Sequence, residues 1–387
     1  MLKDFLIAPG PTAVPSEVLI EMSRPIYHHR TPRFSQLFME TIELLKYLYQ
    51  TKQDVFILAS SGTGAMETAV VNTLSPGDSV LVVRSGKFGE RWGEICEAYN
   101  VSPAYIDVEW GEAVDPKRIE DHLKEHPDVK AVFTQYTETS TGVTHDIKKI
   151  SDIVSKTNAL MIVDAITGLG VTKCPVDEWK LDVVICGSQK SLMLPPGLGF
   201  LSFSEKAWKA NESSTLPRFY FNLKAEKKAQ SNKTTAWTPA VSLIIGLHKA
   251  LQMIKDEGIE EVIKRHKIIA DAIRAGVGAL GLELFAKSPA NSVTSIKVPE
   301  GIDGLQIPKL MRDKYGIAIA GGQAQAKGKI FRIGHLGYID KSDVAVVFQS
   351  LEFTLRELNY TFEWGSSSKA VQEVLYPEYK KLDIRKA

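Results

Sequence analysis

The sequence has few cysteines, almost no net charge and no long apolar run. Its three cysteines, Cys96, Cys174 and Cys186, are an odd number without metal-ligand spacing, which excludes a disulfide framework and favours reduced thiols. The 47 Lys and Arg against 46 Asp and Glu, a formal net charge of +1, give no reason to expect nucleic acid or an anionic membrane as a partner. No segment approaches the ~20 apolar residues of a membrane helix. We expect a cytoplasmic protein, because the apolar start lacks a signal-peptide core.

The length of 387 residues suits two domains rather than one small core. Apolar strand-like runs alternate with helical periodicity over most of the chain, which predicts an α/β fold with a mostly parallel sheet. After an N-terminal arm at residues 1–18, we expect a large domain at 19–265. Residues 266–387 are expected to form a smaller α+β domain. The polar, lysine-rich stretch 205–238 is interpreted as a surface connection.

Two ionisable residues follow two short apolar runs. Asp164 ends the run Leu160–Val163, and Lys190 follows the run Val183–Cys186 after a Gly-Ser-Gln turn. Neither run alternates with polar residues, which is typical of buried parallel strands. Both charges are therefore expected at the carboxyl ends of neighbouring strands, where ligands bind in open α/β sheets.

A buried lysine and a buried aspartate in one crevice indicate pyridoxal phosphate chemistry. The lysine amine would form a Schiff base with the cofactor aldehyde, and the carboxylate would keep the pyridine nitrogen protonated. The alternative is an ordinary salt bridge, or a lysine whose head only reaches solvent. From this pair alone both interpretations stay open.

Three further features have a ligand-binding and a structural interpretation. The Ser61-Gly62-Thr63 turn between a strand and a helix can bind a phosphate, or it is a plain turn. Phe88, between two glycines after a strand, can stack on a pyridine ring or pack in the core. Arg332, set among apolar residues, matches a carboxylate in two-point fashion, or forms a structural ion pair.

The residues around Asp164 and Lys190 resemble a known family. Val163–Ala165, Gly187–Leu192 and Pro195–Gly197 are similar to the cofactor segment of class V, fold-type I aminotransferases. The match is closest to the alanine–glyoxylate and serine–pyruvate (serine–glyoxylate) branch. It extends from Ala8–Pro11 to Arg332–Gly334. The resemblance implies a mostly parallel seven-stranded sheet flanked by helices, a smaller C-terminal α+β domain, and pyridoxal 5'-phosphate as cofactor.

The resemblance also implies roles for single residues. Thr63 stands where the animal enzymes carry His, Phe88 stands where Trp is common, and the hydroxyl register around Thr235 departs from the animal enzymes. Lys190 is implied as the catalytic, Schiff-base lysine and Arg332 as the residue that grips the substrate α-carboxylate, with Gly10 of the arm beside the substrate. The implied cofactor-binding residues are Lys190, Asp164, Ser61, Gly62, Thr63, Phe88, Thr139, Ile166, Gln189 and, from the other subunit of a homodimer, Thr235.

The implied reaction moves an amino group from alanine or serine to glyoxylate or pyruvate. Aspartate stays open as a donor if Arg30 or Arg33 supplies a second guanidinium. A cysteine desulfurase-like lyase shares the fold and the lysine but needs a mobile nucleophilic thiol. A non-catalytic protein on the same sheet is a further alternative. His28 and His29 are adjacent, but no acidic or cysteine partner lies at ligand spacing, so no metal site is expected.

Overall fold

The computed structural model describes residues 3–380 of the chain. Its helices are Ser16–Ser23 (α1), Pro32–Tyr49 (α2), Gly62–Thr73 (α3), Lys87–Ala98 (α4), Pro116–Glu125 (α5), Ile147–Val154 (α6), Glu205–Ser213 (α7), Leu223–Ser231 (α8), Val241–Glu257 (α9), Ile259–Ala279 (α10), Gln306–Tyr315 (α11), Lys341–Glu357 (α12) and Ser366–Tyr379 (α13). Its strands are Phe5–Leu6 (β1), Asp54–Ala59 (β2), Ser79–Arg84 (β3), Ser102–Asp107 (β4), Ala131–Gln135 (β5), Thr137–Glu138 (β6), Val143–Thr144 (β7), Leu160–Asp164 (β8), Val183–Gly187 (β9), Leu198–Phe203 (β10), Val293–Lys297 (β11), Ile317–Ala318 (β12), Ala320–Gly321 (β13) and Ile330–Gly334 (β14).

A seven-stranded sheet in the order β2-β10-β9-β8-β5-β3-β4 forms the centre of the molecule. Every pairing is parallel except the two made by β10, which runs antiparallel to both β2 and β9. Alternate residues of each inner strand enter two different apolar clusters: Val184 and Cys186 pack on one face, and Val183 and Ile185 on the other. Both faces are therefore covered, which explains why these strands show no polar alternation. The α/β fold with a mostly parallel seven-stranded sheet is confirmed.

Two parts of the chain differ from the sequence interpretation. Strand β4 lies at the sheet edge and contains Pro103, which weakens a strand pattern and is tolerated because an edge strand leaves one side unpaired. The stretch 205–238 is not only a surface connection, since α7 and α8 lie within it. Both helices are short and mostly polar, so their sequences lack the apolar periodicity that predicts a helix. Side-chain oxygens of Ser204 and Asn222 cap their N-termini.

A second apolar core lies around the three-stranded sheet β11-β14-β13 and helices α10 to α13. Val262, in the first turn of α10, packs with the large cluster, whereas Ile269 and the later residues of that helix pack with the smaller one. On this ground we propose that the large domain ends near residue 265 and the smaller one follows it. Residues 1–2 of the expected arm and residues 381–387 of the expected smaller domain lie outside the described part of the chain. Within residues 3–380, no helix is long and apolar enough to cross a membrane.

The N-terminal arm joins the two domains. Its strand β1 pairs in parallel with β12 of the smaller domain, and Ile7 packs in that domain's core. The chain then crosses to the large domain, where the backbone N–H of Thr12 donates to the carbonyl of Gln189 at 3.1 Å. The arm thus brings its Pro-Gly-Pro segment to the carboxyl edge of the central sheet.

Candidate active site

Asp164 and Lys190 lie at the same edge of the sheet. Asp164 is the last residue of β8, and it pairs in register with Ile185 of the parallel neighbour β9. Lys190 follows β9 in a turn closed by Ser188, whose hydroxyl donates to Pro195 O at 2.8 Å. The side chains are 4% and 8% exposed. The parallel register therefore brings two buried ionisable groups together, as the sequence predicted.

The charges of these two groups act on each other without forming an ion pair among the described residues. Burial raises the pKa of Asp164 to about 7, and the charge of Lys190 opposes that rise. Burial lowers the pKa of Lys190 to about 8, and the charge of Asp164 opposes that fall. Since no direct bridge closes the space between them, the pair is not the ordinary salt bridge of the alternative interpretation. A cationic pyridine nitrogen beside Asp164 would favour its charged form.

The N-terminal arm covers the lysine. The Lys190 amine donates to the carbonyl of Pro9, and the hydroxyl of Thr12 donates to Lys190 O at 2.9 Å. Gly10 adopts φ +136°, and a Cβ there would lie 2.4 Å from Lys190 Nζ. Only a glycine allows the arm to pass this close to the amine. Gly10 is thus next to the catalytic candidate, where the sequence placed it.

The N-terminus of α3 forms an anion cradle beside Asp164. Ser61 is its N-cap and accepts from Gly64 N at 3.4 Å, whereas the N–H groups of Gly62 and Thr63 lack intrahelical acceptors. Ile166 lies against this turn: a Cβ on Gly62 would be 2.4 Å from Ile166 Cδ1. The buried Oε1 of Gln189 has no hydrogen-bond partner within residues 3–380. Free N–H donors at a helix N-terminus fit the phosphate of pyridoxal phosphate, whereas the Gln189 oxygen is an acceptor and would pair with a donor instead.

Phe88 is held at its backbone by a residue that the sequence analysis did not assign. Glu138 is fully buried and accepts from Phe88 N at 3.1 Å and from Gly89 N at 3.0 Å. Its other oxygen accepts from Ser140 N at 3.1 Å. Burial raises the pKa of Glu138, and these donors oppose the rise. Glu138 directly precedes Thr139, a residue that the family resemblance had already pointed to, but nothing in the sequence marks this carboxylate as buried.

Arg332 projects from β14 towards the large domain. It is 5% exposed; Nη1 donates to Thr139 O at 2.8 Å, and Nε and Nη2 donate to Gly321 O at 3.0 and 2.8 Å. No ion pair to Arg332 occurs in the described chain, so the structural ion-pair interpretation is not supported. Burial lowers the pKa of Arg332 to about 10. The Thr139 hydroxyl lies 2.8 Å from that of Thr167, which completes this side of the crevice.

Thr235 is not brought to these residues within one chain. Its hydroxyl donates to Trp237 O at 2.6 Å, inside its own loop. Trp237 stacks on Phe219 and Tyr220, with ring centroids 5.1 and 5.9 Å away. The contact that the sequence assigned to Thr235 requires a second subunit and stays a prediction. Arg33 stacks on Tyr27, with its Cζ 4.1 Å from the ring centroid.

The remaining predicted residues converge. The structure groups the lysine, the aspartate, the α3 turn, the stacking candidate, the arm and the arginine at one edge of the sheet. Sequence reasoning missed Glu138, the Thr12 hydroxyl, and Arg91 of α4, whose Nη1 donates to Thr63 Oγ1 at 3.1 Å. Within residues 3–380, no group of three or more His, Cys, Asp or Glu is placed to hold a metal ion.

The chain is similar to known proteins over nearly its whole length. The family described as aminotransferase class-V matches residues 5–347. A protein named soluble hydrogenase, small subunit, from Synechococcus sp. is 44% identical over 96% of this chain and 98% of its own length. L-aspartate–glyoxylate aminotransferase of Paracoccus denitrificans is 37% identical over 95% of each chain. The crystal structure of ureidoglycine–glyoxylate aminotransferase from Bacillus subtilis superposes with a TM-score of 0.94 at 31% identity, covering 97% of this chain and 99% of that one.

The residues matched by the family model include the central sheet and strand β14, which carries Arg332. The fold and the buried pair Asp164 and Lys190 are consistent with this family. Members of this family use pyridoxal phosphate. The chain therefore belongs to the class-V aminotransferases and is a pyridoxal phosphate-dependent aminotransferase of fold-type I.

Proposed function

We propose that this enzyme transfers the amino group of a small amino acid, alanine or serine, to glyoxylate or pyruvate, with Lys190 as its catalytic residue. The observation that carries the proposal is the buried pair Lys190 and Asp164, which are electrostatically coupled but not bridged. The Bacillus and Paracoccus proteins both have glyoxylate in their names, which supports that acceptor. Pyruvate is the alternative acceptor.

The chain's own residues would hold the cofactor at three points. The N–H groups of Gly62 and Thr63 would bind the phosphate, and the amide NH2 of Gln189 would be a further donor. Asp164 would pair with the pyridine nitrogen, and Phe88 would stack on the ring. When bound, pyridoxal phosphate supplies an aldehyde for the amino group and a ring that withdraws electrons from the substrate Cα.

Lys190 is suited to move a proton at the substrate Cα. Its lowered pKa, about 8, gives it a larger neutral fraction near pH 8 than an exposed lysine has, so it can accept a proton there and return it. The Pro9 carbonyl accepts from the amine and limits its orientation. The arm also covers the amine from solvent, which keeps competing water away.

Arg332 would bind the α-carboxylate of donor and acceptor. Its fork donates to two backbone carbonyls, and a carboxylate would offer a charged acceptor in place of these neutral ones. Because Thr139 O belongs to the large domain and Gly321 O to the smaller one, the guanidinium lies where the domains meet. The bound carboxylate would then orient the Cα towards Lys190.

A homodimer is the assembly we propose. Large apolar side chains are exposed next to the Thr235 loop and on α1: Phe219, Tyr220, Leu19 and Ile20 are 78%, 43%, 48% and 57% exposed. Burying them against a second copy would remove apolar surface from water and bring Thr235 to the partner's phosphate cradle. We also propose a cytoplasmic location, which the three free cysteines support.

The structure disfavours the desulfurase-like alternative. All three cysteines are buried, and burial raises the pKa of each thiol to about 12. A thiol of this kind is neither a thiolate nor mobile at neutral pH. Aspartate remains the alternative donor, because the Paracoccus relative bears its name.

The test combines a spectrum with a product assay. Purified protein with pyridoxal phosphate should show a visible bound-cofactor band that borohydride reduction removes, and Lys190→Ala should lose the band while Lys173→Ala, at an exposed lysine, keeps it. Incubation with ¹⁵N-labelled alanine, serine or aspartate and glyoxylate should yield labelled glycine. A wild-type protein without the band, or release of labelled ammonia without glycine, would refute the proposal.

A further inference from the structure

Arg91 lies beside the cradle, and neither the sequence analysis nor the proposed function gives it a role. It is on α4, one turn after Phe88, and its Cζ lies 4.9 Å from the centroid of the Phe88 ring. Its Nη1 donates to Thr63 Oγ1 at 3.1 Å. The guanidinium therefore contacts one residue expected to stack on the cofactor and one expected to lie at its phosphate.

The charge of Arg91 has no anionic partner in the described chain. The side chain is half-buried, and no carboxylate within residues 3–380 forms an ion pair with it. Arg84, at the end of β3, shows the ordinary outcome for a nearby arginine: its Nε and Nη2 donate to both oxygens of Asp107, at 2.5 and 2.9 Å. Arg91 is thus an available guanidinium in a position where a structural arginine would be paired.

The surroundings of Arg91 favour an anion from a bound molecule. The free N–H groups of Gly62 and Thr63 present the positive end of the α3 dipole to the same space. The charge of Arg91 also lowers the pKa of Asp164, so it acts across the site. Because no carboxylate of the described residues pairs directly with Arg91 or with these N–H groups, an anionic group of a bound molecule would be stabilised by both positive sources.

We propose that Arg91 binds an anionic group of a molecule held in the active site, either the cofactor phosphate or the distal carboxylate of a dicarboxylic amino donor. The inference rests on the proposed function. Arg91 would supply the second guanidinium that aspartate needs, the role for which the sequence offered Arg30 or Arg33; of these two, Arg33 stacks on Tyr27. Both sources offer a charged oxygen to a guanidinium fork, and two measurements separate them.

The first measurement is cofactor affinity without turnover. Apoprotein of the wild type, Arg91→Gln, Arg91→Lys and the control Arg118→Gln is titrated with pyridoxal phosphate and with pyridoxal, which lacks the phosphate. Arg118 is an exposed arginine that donates to the Asp107 carbonyl. If Arg91 binds the phosphate, Arg91→Gln raises the Kd for pyridoxal phosphate by about 10- to 100-fold, leaves that for pyridoxal unchanged, and Arg91→Lys recovers part of the loss.

The second measurement is donor preference at saturating cofactor. If Arg91 binds the distal carboxylate, Arg91→Gln lowers kcat/KM for aspartate by about 10- to 100-fold and leaves that for alanine within twofold. The inference is overturned if Arg91→Gln changes neither the preference for pyridoxal phosphate over pyridoxal nor the preference for aspartate over alanine. It is also overturned if the affinities for pyridoxal and for pyridoxal phosphate fall equally and the melting temperature falls with them, since a purely structural arginine would give that result. Failure of the wild type to bind pyridoxal phosphate would instead refute the proposed function.

Discussion

Replacing Arg332 gives the sharpest test of how substrate is oriented. The guanidinium is 5% exposed and donates to Gly321 O and Thr139 O. If it binds the α-carboxylate with two charge-assisted hydrogen bonds, each contributes about 1.5–3 kcal/mol. Arg332→Gln should then lose about 3–6 kcal/mol of transition-state stabilisation, roughly a 10²- to 10⁴-fold fall in kcat/KM for alanine. Arg332→Lys keeps the charge but not the fork, so its fall should be smaller.

The assay compares alanine with ethylamine, which lacks the carboxylate. Wild type should prefer alanine strongly, and Arg332→Gln should bring alanine close to the ethylamine rate while leaving the ethylamine rate and the bound-cofactor band unchanged. Arg274→Gln is the matched control, because Arg274 also donates to a backbone carbonyl, Ala290 O at 3.1 Å, without reaching the site. Equal losses with both amines in Arg332→Gln would show that the arginine only supports the fold and would refute the reasoning.

Three other predictions concern the lysine, the aspartate and the arm. Stopped-flow absorbance measures the rate at which apoprotein captures pyridoxal phosphate. This rate should rise with pH, with its midpoint near pH 8, because only the neutral Lys190 amine reacts. A midpoint in the ordinary lysine range would contradict this prediction. The folded apoprotein keeps a proton on Asp164 between about pH 4 and 7 that the unfolded chain releases, so this carboxyl's contribution to the free energy of unfolding falls as pH rises. Asp164→Asn should therefore raise the melting temperature of apoprotein more at about pH 8 than at about pH 4.5, and an equal shift at both would refute it. Gly10→Ala should block capture, because its Cβ would lie 2.4 Å from Lys190 Nζ. Gly77→Ala, also at a positive φ (+82°) but with nothing within 4 Å of its Cβ, should not.

The central sheet and its two charged residues were predictable because local pattern and buried position agree there. The runs Leu160–Val163 and Val183–Cys186 are apolar throughout because both sides of the sheet are covered, and the observed strands extend each run by one residue. Parallel strands end at a common edge, so placing Asp164 and Lys190 together needed no knowledge of side-chain contacts. Strand β4 was missed because an edge strand is only half covered and tolerates a proline.

Contacts between distant segments were beyond the sequence. Glu138 directly precedes Thr139, and Arg91 lies three residues after Phe88, but their roles depend on partners that only the fold supplies. These partners are backbone N–H groups of α4 for Glu138, and Thr63 of α3 for Arg91. From the sequence alone, a charged residue that is buried and accepts hydrogen bonds looks the same as one whose side chain is exposed to solvent. The Thr235 loop poses a different difficulty, because its predicted contact lies outside a single chain.

The glycines that follow Arg332 explain why the arginine motif and the N-terminal arm belong together. Gly334 N donates to Ile7 O at 2.7 Å, and a Cβ on Gly334 would lie 2.2 Å from Ala8 O. Gly337, at φ +78°, approaches Lys190 O, which a Cβ there would meet at 2.9 Å. The strand that carries the carboxylate-binding candidate is therefore in direct backbone contact with the arm that covers the lysine. Any side chain at these glycines would push the arm, the lysine turn and β14 apart, so the position of the guanidinium relative to the amine depends on the absence of two Cβ atoms.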